Sequence, residues 1–368
     1  VRAPANSGAS RPLPSARSNP VSCQTGRWTY QVTDLSVPDV VPLAVTRSYL
    51  ANDTSGNLPV SRAFGIGTFH PYEGYLVMNA AANRMDLILA DGRSIPFAAV
   101  SGSTCCFLNS TSRFEHTATP GEFYKATLTR PATTEILLTF RDGRQWGYSY
   151  YGARLAWMQD SQGNRLTLTR QYGSTTGNVT RAASPMGRYL DFTYDTSNRI
   201  TQVKDHAGRS VGYTYDATNR LASATDPEGF KTEYTYDSAH RVLTVKDGRG
   251  NIKLTNEYYP AGDPSVGKVK KQTFADGVST QFAYTLNASG TVIETRVTDP
   301  RGQIRRYTFN DQSVVTSVTE AYGTAQAQAT THTIEAATNR VLATVDALNR
   351  RTEYLYDANG NVSKITRL

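Results

Sequence analysis

Signatures of catalysis are what this 368-residue sequence most plainly lacks. Its histidines, His70, His116, His206, His240 and His332, form neither His-x-x-x-His nor His-Glu-x-x-His, the spacing that sets two ligands on one helix face, so a zinc hydrolase is disfavoured. There is no Gly-x-Ser-x-Gly elbow for a serine nucleophile and no Gly-x-x-x-x-Gly-Lys-Ser/Thr phosphate loop. No motif calls for a cofactor or a metal, and the chain is not expected to be an enzyme. Cysteine is scarce: Cys23, Cys105 and Cys106, with no Cys-x-x-Cys. The adjacent pair cannot easily bridge to each other, Cys23 with one of them is open in an oxidising compartment, and one thiol is left over. No run of helix formers repeats every 3.6 residues, which argues against a helical fold. The longest apolar runs, such as Ile95 to Val100, are far too short to cross a bilayer, so membrane insertion is not expected. There is no Lys/Arg-dense run and no helix suited to a major groove, so nucleic-acid binding has no support.

What the chain has is tyrosine, 22 against 12 Phe and 3 Trp, and much of it follows one pattern. Three copies lie between Phe192 and Asn251: Phe192-Thr-Tyr194-Asp195, Tyr213-Thr-Tyr215-Asp216 and Tyr234-Thr-Tyr236-Asp237, followed by Asn198, Asn219 and His240. Each copy runs on through a second Asp (Asp205, Asp226, Asp247) to Gly208, Gly229 or Gly250. Tyr194, Tyr215 and Tyr236 are 21 residues apart, and a fixed period of that size marks a repeat architecture.

In a strand the two aromatics of Tyr-Thr-Tyr share a face, with Thr opposite, and all three types suit a half-buried pleated surface. Asp at a turn start bonds its own backbone two residues on. Asn, His and Gly three residues later tolerate the left-handed region. Both halves of the unit therefore end in tight turns at 198, 208, 219, 229, 240 and 250, and one repeat is two short antiparallel strands and two turns. One spacing stays open. Ile200 and Val203, Leu221 and Ala224, and Val242 and Val245 are three apart, which means either that both faces are partly covered or that a bulge resets the register.

Three segments are expected. Residues 1–20, with four Pro among Ser, Ala, Asn and Arg, read as a flexible lead-in. Residues 21–135 form an irregular β domain without the 21-residue period. Its strands are Trp28 to Val32, Val41 to Tyr49, Tyr75 to Met78 and Asp86 to Leu89, with a loop from Thr54 to Pro59, a close backbone approach at Phe64-Gly-Ile-Gly67 and a hairpin at Asp91-Gly92. Residues 136–368 are repeats, with enlarged turns from Gly173 to Pro185 and from Tyr258 to Gly267, decayed copies at Asp299 and Asn349, and a restored motif at Tyr354-Leu-Tyr356-Asp357-Ala-Asn-Gly360. Net charge is +8, and residues 1–189 carry most of it, with 18 Lys+Arg against 11 Asp+Glu. An anion-binding surface or an ordinary soluble surface with a basic tail would both produce this.

The residues Tyr194-Asp195, Tyr215-Asp216, Tyr236-Asp237 and Tyr356-Asp357 resemble the YD-repeat, or Rhs-repeat, family, over roughly residues 136–368. The stretch from Asn19 to Tyr49, with Thr33-Asp-Leu-Ser-Val-Pro38 at its centre, looks like the segment that precedes the repeats in bacterial members. The resemblance implies an all-β fold in which tandem hairpins form a spiralling strip, part of a hollow shell. It implies a bacterial protein, secreted or at the cell surface, whose partners are a polypeptide cargo or further shell segments and whose role is toxin containment and delivery. No C-terminal toxin is visible, and the chain stops at Leu368 part-way through a repeat, so more polypeptide or a partner chain is expected. Asp226-Pro-Glu-Gly229 and Asp299-Pro-Arg-Gly302 match a boundary motif of such toxins, but they fall in phase with the turns and are read as turns. The repeated Asp residues are likewise read as structural, since a glycosidase needs one special pair and a turn needs Asp every time. The alternative reading is a cell-surface adhesion module that stacks glycans on its Tyr-rich repeats.

Overall fold

The computed structural model describes residues 21–368 apart from 52–53, 56–57, 60, 91–92, 101, 104–108, 110 and 120. The lead-in, the Asp91-Gly92 hairpin and the Cys105–Cys106 pair lie outside the described residues.

The chain is all-β. The helical elements among the described residues are two 3-10 turns, Pro71–Glu73 and Gln171–Gly173. By packing it falls into two units. One comprises Tyr30–Thr117 with Lys125–Arg241, and the other the chain up to Thr29, Ala118–Tyr124 and Val242–Leu368. In the first, fifteen strands from Tyr75–Asn79 to Lys231–Tyr236 each pair antiparallel with the next in sequence. In the second, eleven strands from Val242–Asp247 to Val362–Arg367 do the same. Among the described residues the two ladders hold 26 strands in chain order and are not closed into a barrel.

Two-residue periodicity places the core. In Ser210–Tyr215, Val211 and Tyr213 are buried while Thr214 is exposed, and Lys231–Tyr236 repeats this with Tyr234 and Thr235. The open spacing resolves as a bulge. Thr193 lies opposite Gln202 but Tyr194 lies opposite Ile200, so Thr201 is the extra residue. Ala222 is extra in the same way between Leu221 and Ser223. One added residue after the turn brings Ile200 and Val203 to the same face, both fully buried. Each buried aliphatic side chain of this kind contributes roughly 1.5–3 kcal/mol.

The segment before the repeats supplies a three-stranded sheet, Thr29–Val37, Leu43–Leu50 and Thr68–Phe69. It lies on the aromatic face of the repeats. Phe64 packs on Tyr213 at 4.8 Å between ring centroids, and His70 stacks on Phe192 at 5.6 Å. A buried ion pair, Arg47 with Asp34 at 2.5 Å, is closed by the Tyr213 phenol donating to Asp34 at 2.8 Å and by Arg47 donating to Tyr234. A charge pair so enclosed is tolerable because each remaining polar atom finds a partner. Gly65 has φ 82°, and a Cβ there would fall 2.6 Å from the Asn219 carbonyl oxygen, which also accepts the Ile66 N–H at 2.8 Å.

Two expectations fail. Thr54–Ser55 and Leu58–Pro59 are paired short strands, not a plain loop. The presumed enlarged turn from Gly173 to Pro185 contains a strand, Val179–Ala183, paired on both sides. Its Val-Thr-Arg-Ala-Ala sequence buries only Val179 and Ala182, too little apolar content to show a strand pattern.

In the second unit the Cys23 thiol is buried and free. Burial pushes its pKa up to about 12, so it stays protonated.

Candidate functional site

The residues singled out by the repeat meet at the chain reversals. Asn198, Asn219 and His240 have φ of 60°, 65° and 62°, and Gly208, Gly229, Gly250 and Gly360 lie between 78° and 91°. Each corner closes the same way. The Asp195 N–H donates to the Arg199 carbonyl at 2.8 Å and the Asn198 N–H to the Asp195 carbonyl at 3.1 Å. Asp205, Asp216, Asp226, Asp237, Asp247 and Asp357 repeat both bonds. This is a type I turn followed by one left-handed residue, a common hairpin connection.

At Asp195, Asp216 and Asp237 this geometry engages both carboxylate oxygens. Asp195 Oδ1 accepts the N–H groups of Ser197 and Arg199, both at 2.9 Å, and Oδ2 accepts Arg199 Nε at 2.8 Å. Asp216 does the same with Thr218 and Arg220, and Asp237 with Ala239 and Arg241. At Asp357 the fifth residue is Asn361, whose side-chain amide replaces the guanidinium at 3.0 Å. Burial pushes the carboxyls of Asp195, Asp205 and Asp216 up. The hydrogen bonds from Arg199, Arg209 and Arg220 and from the turn N–H groups outweigh it and hold all three below the ordinary value. They are stable anions in a cage of donors, the opposite of what a general acid needs.

The second tyrosine of each copy joins one repeat to the previous one. The phenols of Tyr194, Tyr215, Tyr236 and Tyr356 donate to the carbonyls of Val179, Ile200, Leu221 and Val341, fifteen residues earlier, at 2.5–2.8 Å. Ile200 and Leu221 stand at the bulges, where the ladder is interrupted and a carbonyl needs another donor. Burial raises the pKa of Tyr194, Tyr215 and Tyr236, so the phenols remain neutral donors. Over these rings sit the corner arginines, Arg199 on Tyr215 at 4.4 Å and Arg220 on Tyr236 at 4.8 Å. Arg199 therefore binds its own Asp195, covers the next repeat's Tyr215 and donates to Asn219 Oδ1 at 2.9 Å.

Sequence reasoning missed this arginine, although Asn-Arg or His-Arg stands at the same place in all three copies. It missed the phenol latch too, for which the signal was Tyr where Phe would fill the same space. The Asp34–Arg47 pair joins positions distant in sequence, and nothing local marks it. Among the described residues no group of three or more His, Cys, Asp or Glu side chains could hold a metal ion, and no helix is long and apolar enough to cross a membrane.

Comparison with known proteins matches two stretches. Residues 18–97 match a domain of unknown function, DUF6531, and residues 194–231 and 215–252 match the RHS Repeat. No curated protein matches the sequence. Among solved structures, the crystal structure of TcdB2-TccC3-Cdc42 is similar at 10% identity and a TM-score of 0.37, over 93% of this chain and 23% of that one. The crystal structure of TcdB2-TccC3 gives the same figures. A structure of the Photorhabdus luminescens Tc holotoxin pore is similar at 10% identity and a TM-score of 0.28, over 95% of this chain and 24% of that one. The chain thus spans about a quarter of the length of these structures. The matched RHS Repeat windows start 21 residues apart, at Tyr194 and Tyr215, the period at which the phenol latch and the carboxylate corner recur, and this stretch of the chain is built of Rhs-type YD repeats.

Proposed function

We propose that this chain is a segment of the wall of a bacterial Rhs-type β-shell, a non-enzymatic container for a polypeptide cargo in toxin delivery, secreted or at the cell surface. The observation that carries the reading is the engagement of the repeat's polar groups. At the Asp195, Asp216 and Tyr236 positions, carboxylates, guanidinia and phenols are bonded to one another or to backbone carbonyls and N–H groups. A ladder that grows by identical corners makes wall area without needing a special site. The family resemblance supports the shell.

Limited proteolysis of the protein encoded by the full gene tests this. The expected result is that polypeptide beyond the repeats resists protease in the native protein and is cut once denaturant opens the wall. Equal cutting in both states would overturn the reading.

The adhesion alternative now rests on different rings. The latched phenols are engaged, but Tyr151 and Tyr172 are open to solvent, Tyr172 fully. Glycan-array binding that disappears in Tyr172→Ala and persists in Tyr215→Phe would favour it.

A further inference from the structure

Between the domain before the repeats and the first repeats lies a cavity of about 520 Å³, the size of a small-ligand site. Its wall brings together Arg154, Arg170, Tyr75, Glu73, Asn178 and Asn198, among others. Three of the lining residues are arginines and one is acidic. That single carboxylate is already committed: Glu73 accepts the Ala63 N–H at 3.0 Å and the His70 N–H at 2.9 Å, one on each oxygen. Arg170 is fixed by donating to the carbonyls of Gly177 at 2.8 Å and Leu155 at 2.7 Å, and Arg154 by lying over the Tyr75 ring at 4.7 Å. These contacts orient both guanidinia, neither arginine forms an ion pair among the described residues, and the Glu73 carboxylate is the one opposite charge in the lining, set against three arginines. Burial and the neighbouring charge of Arg154 pull the Arg170 pKa down to about 10. It stays protonated at physiological pH. The chain's first 20 residues hold no Asp or Glu and offer no counterion of their own.

We propose that this cavity binds a small ligand through an oxyanion, a carboxylate or phosphate group, held between Arg154 and Arg170. A guanidinium presents paired donors that match either group, and the aromatic and amide wall around it suits an acidic sugar or a similarly sized organic acid. The inference does not rest on the containment reading, since a wall can carry a ligand site or lack one.

Calorimetry on the whole chain at fixed ionic strength tests it with D-glucuronate, inorganic phosphate and, as the uncharged control, D-glucose. Saturable binding of glucuronate, phosphate or both, with none of glucose, is expected. Arg154→Gln, which leaves the backbone pairing intact, should weaken it roughly tenfold or more. Arg350→Gln, which removes an equal charge at an exposed corner that is not part of the cavity lining, should leave it unchanged. Circular dichroism establishes that both variants fold. The proposal is overturned if neither anion binds, if glucose binds as well, or if the two variants lose binding equally.

Discussion

Asn219 holds a φ of 65° with a side chain attached, a conformation that costs most residues roughly 1–2 kcal/mol. Asn tolerates it, and Gly tolerates it without a Cβ. Asn219→Ala is therefore expected to lower unfolding free energy by about 1–2 kcal/mol and Asn219→Gly by a few tenths, even though Ala is closer in size to the native residue. Chemical denaturation of the two variants checks the order, and Ala as stable as Gly would refute it. The same corners set the response to acid. The folded pKa values of Asp195, Asp205 and Asp216 lie below the unfolded value of about 3.9, so their contribution is complete above that value and is lost as pH falls through the folded values. Asp216→Asn keeps an acceptor for the turn but not the charge. The stability gap between wild type and Asp216→Asn is expected to shrink from neutral pH toward about pH 2, and a gap constant across that range would contradict the assignment.

At the scale of the strand pair, the latch from Tyr236 to the Leu221 carbonyl separates two roles of one side chain, ring packing and hydrogen bonding. Tyr236→Phe keeps the ring and deletes the donor, leaving a carbonyl at a bulge without it. A loss of about 1–2 kcal/mol is expected by thermal or chemical unfolding. Tyr172→Phe, at a fully exposed ring, should stay within about 0.5 kcal/mol of wild type. Phe309 already stands in the Tyr236 position of its own repeat, where it is buried and has no phenol to donate, so a repeat can form without the latch. Much of this element was readable beforehand. A left-handed corner admits few residue types, so Asn, His and Gly recurring every ten or eleven residues announce it. The bulge was not readable, because apolar residues three apart fit two arrangements and the choice depends on which face another segment covers. The strand Val179–Ala183 was missed for a related reason: its place comes from pairing with both neighbours, not from its own composition.

Over the whole chain, coverage of the ladder varies from repeat to repeat. Val203 opposite Phe192 and Ile365 opposite Tyr354 occupy the same register position. The first is fully buried and the second 39% exposed. Local sequence made both alike, and the segment packed on the earlier repeats makes the difference, through Phe64, His70 and the Asp34–Arg47 pair. That docking joins residues about 180 positions apart and left no periodic trace to read. Repeats of this kind bond mainly to their neighbours, so each corner contributes to stability on its own account. The account turns on the repeated aspartates being corner braces, not reactive groups, and the most direct measurement is denaturant unfolding of Asp195→Ala, Asp216→Ala and Asp237→Ala, made singly. Each is predicted to lose about 1–3 kcal/mol, by similar amounts in all three copies. A variant as stable as the wild type, or more stable, would mean that its carboxylate is kept for something other than the turn.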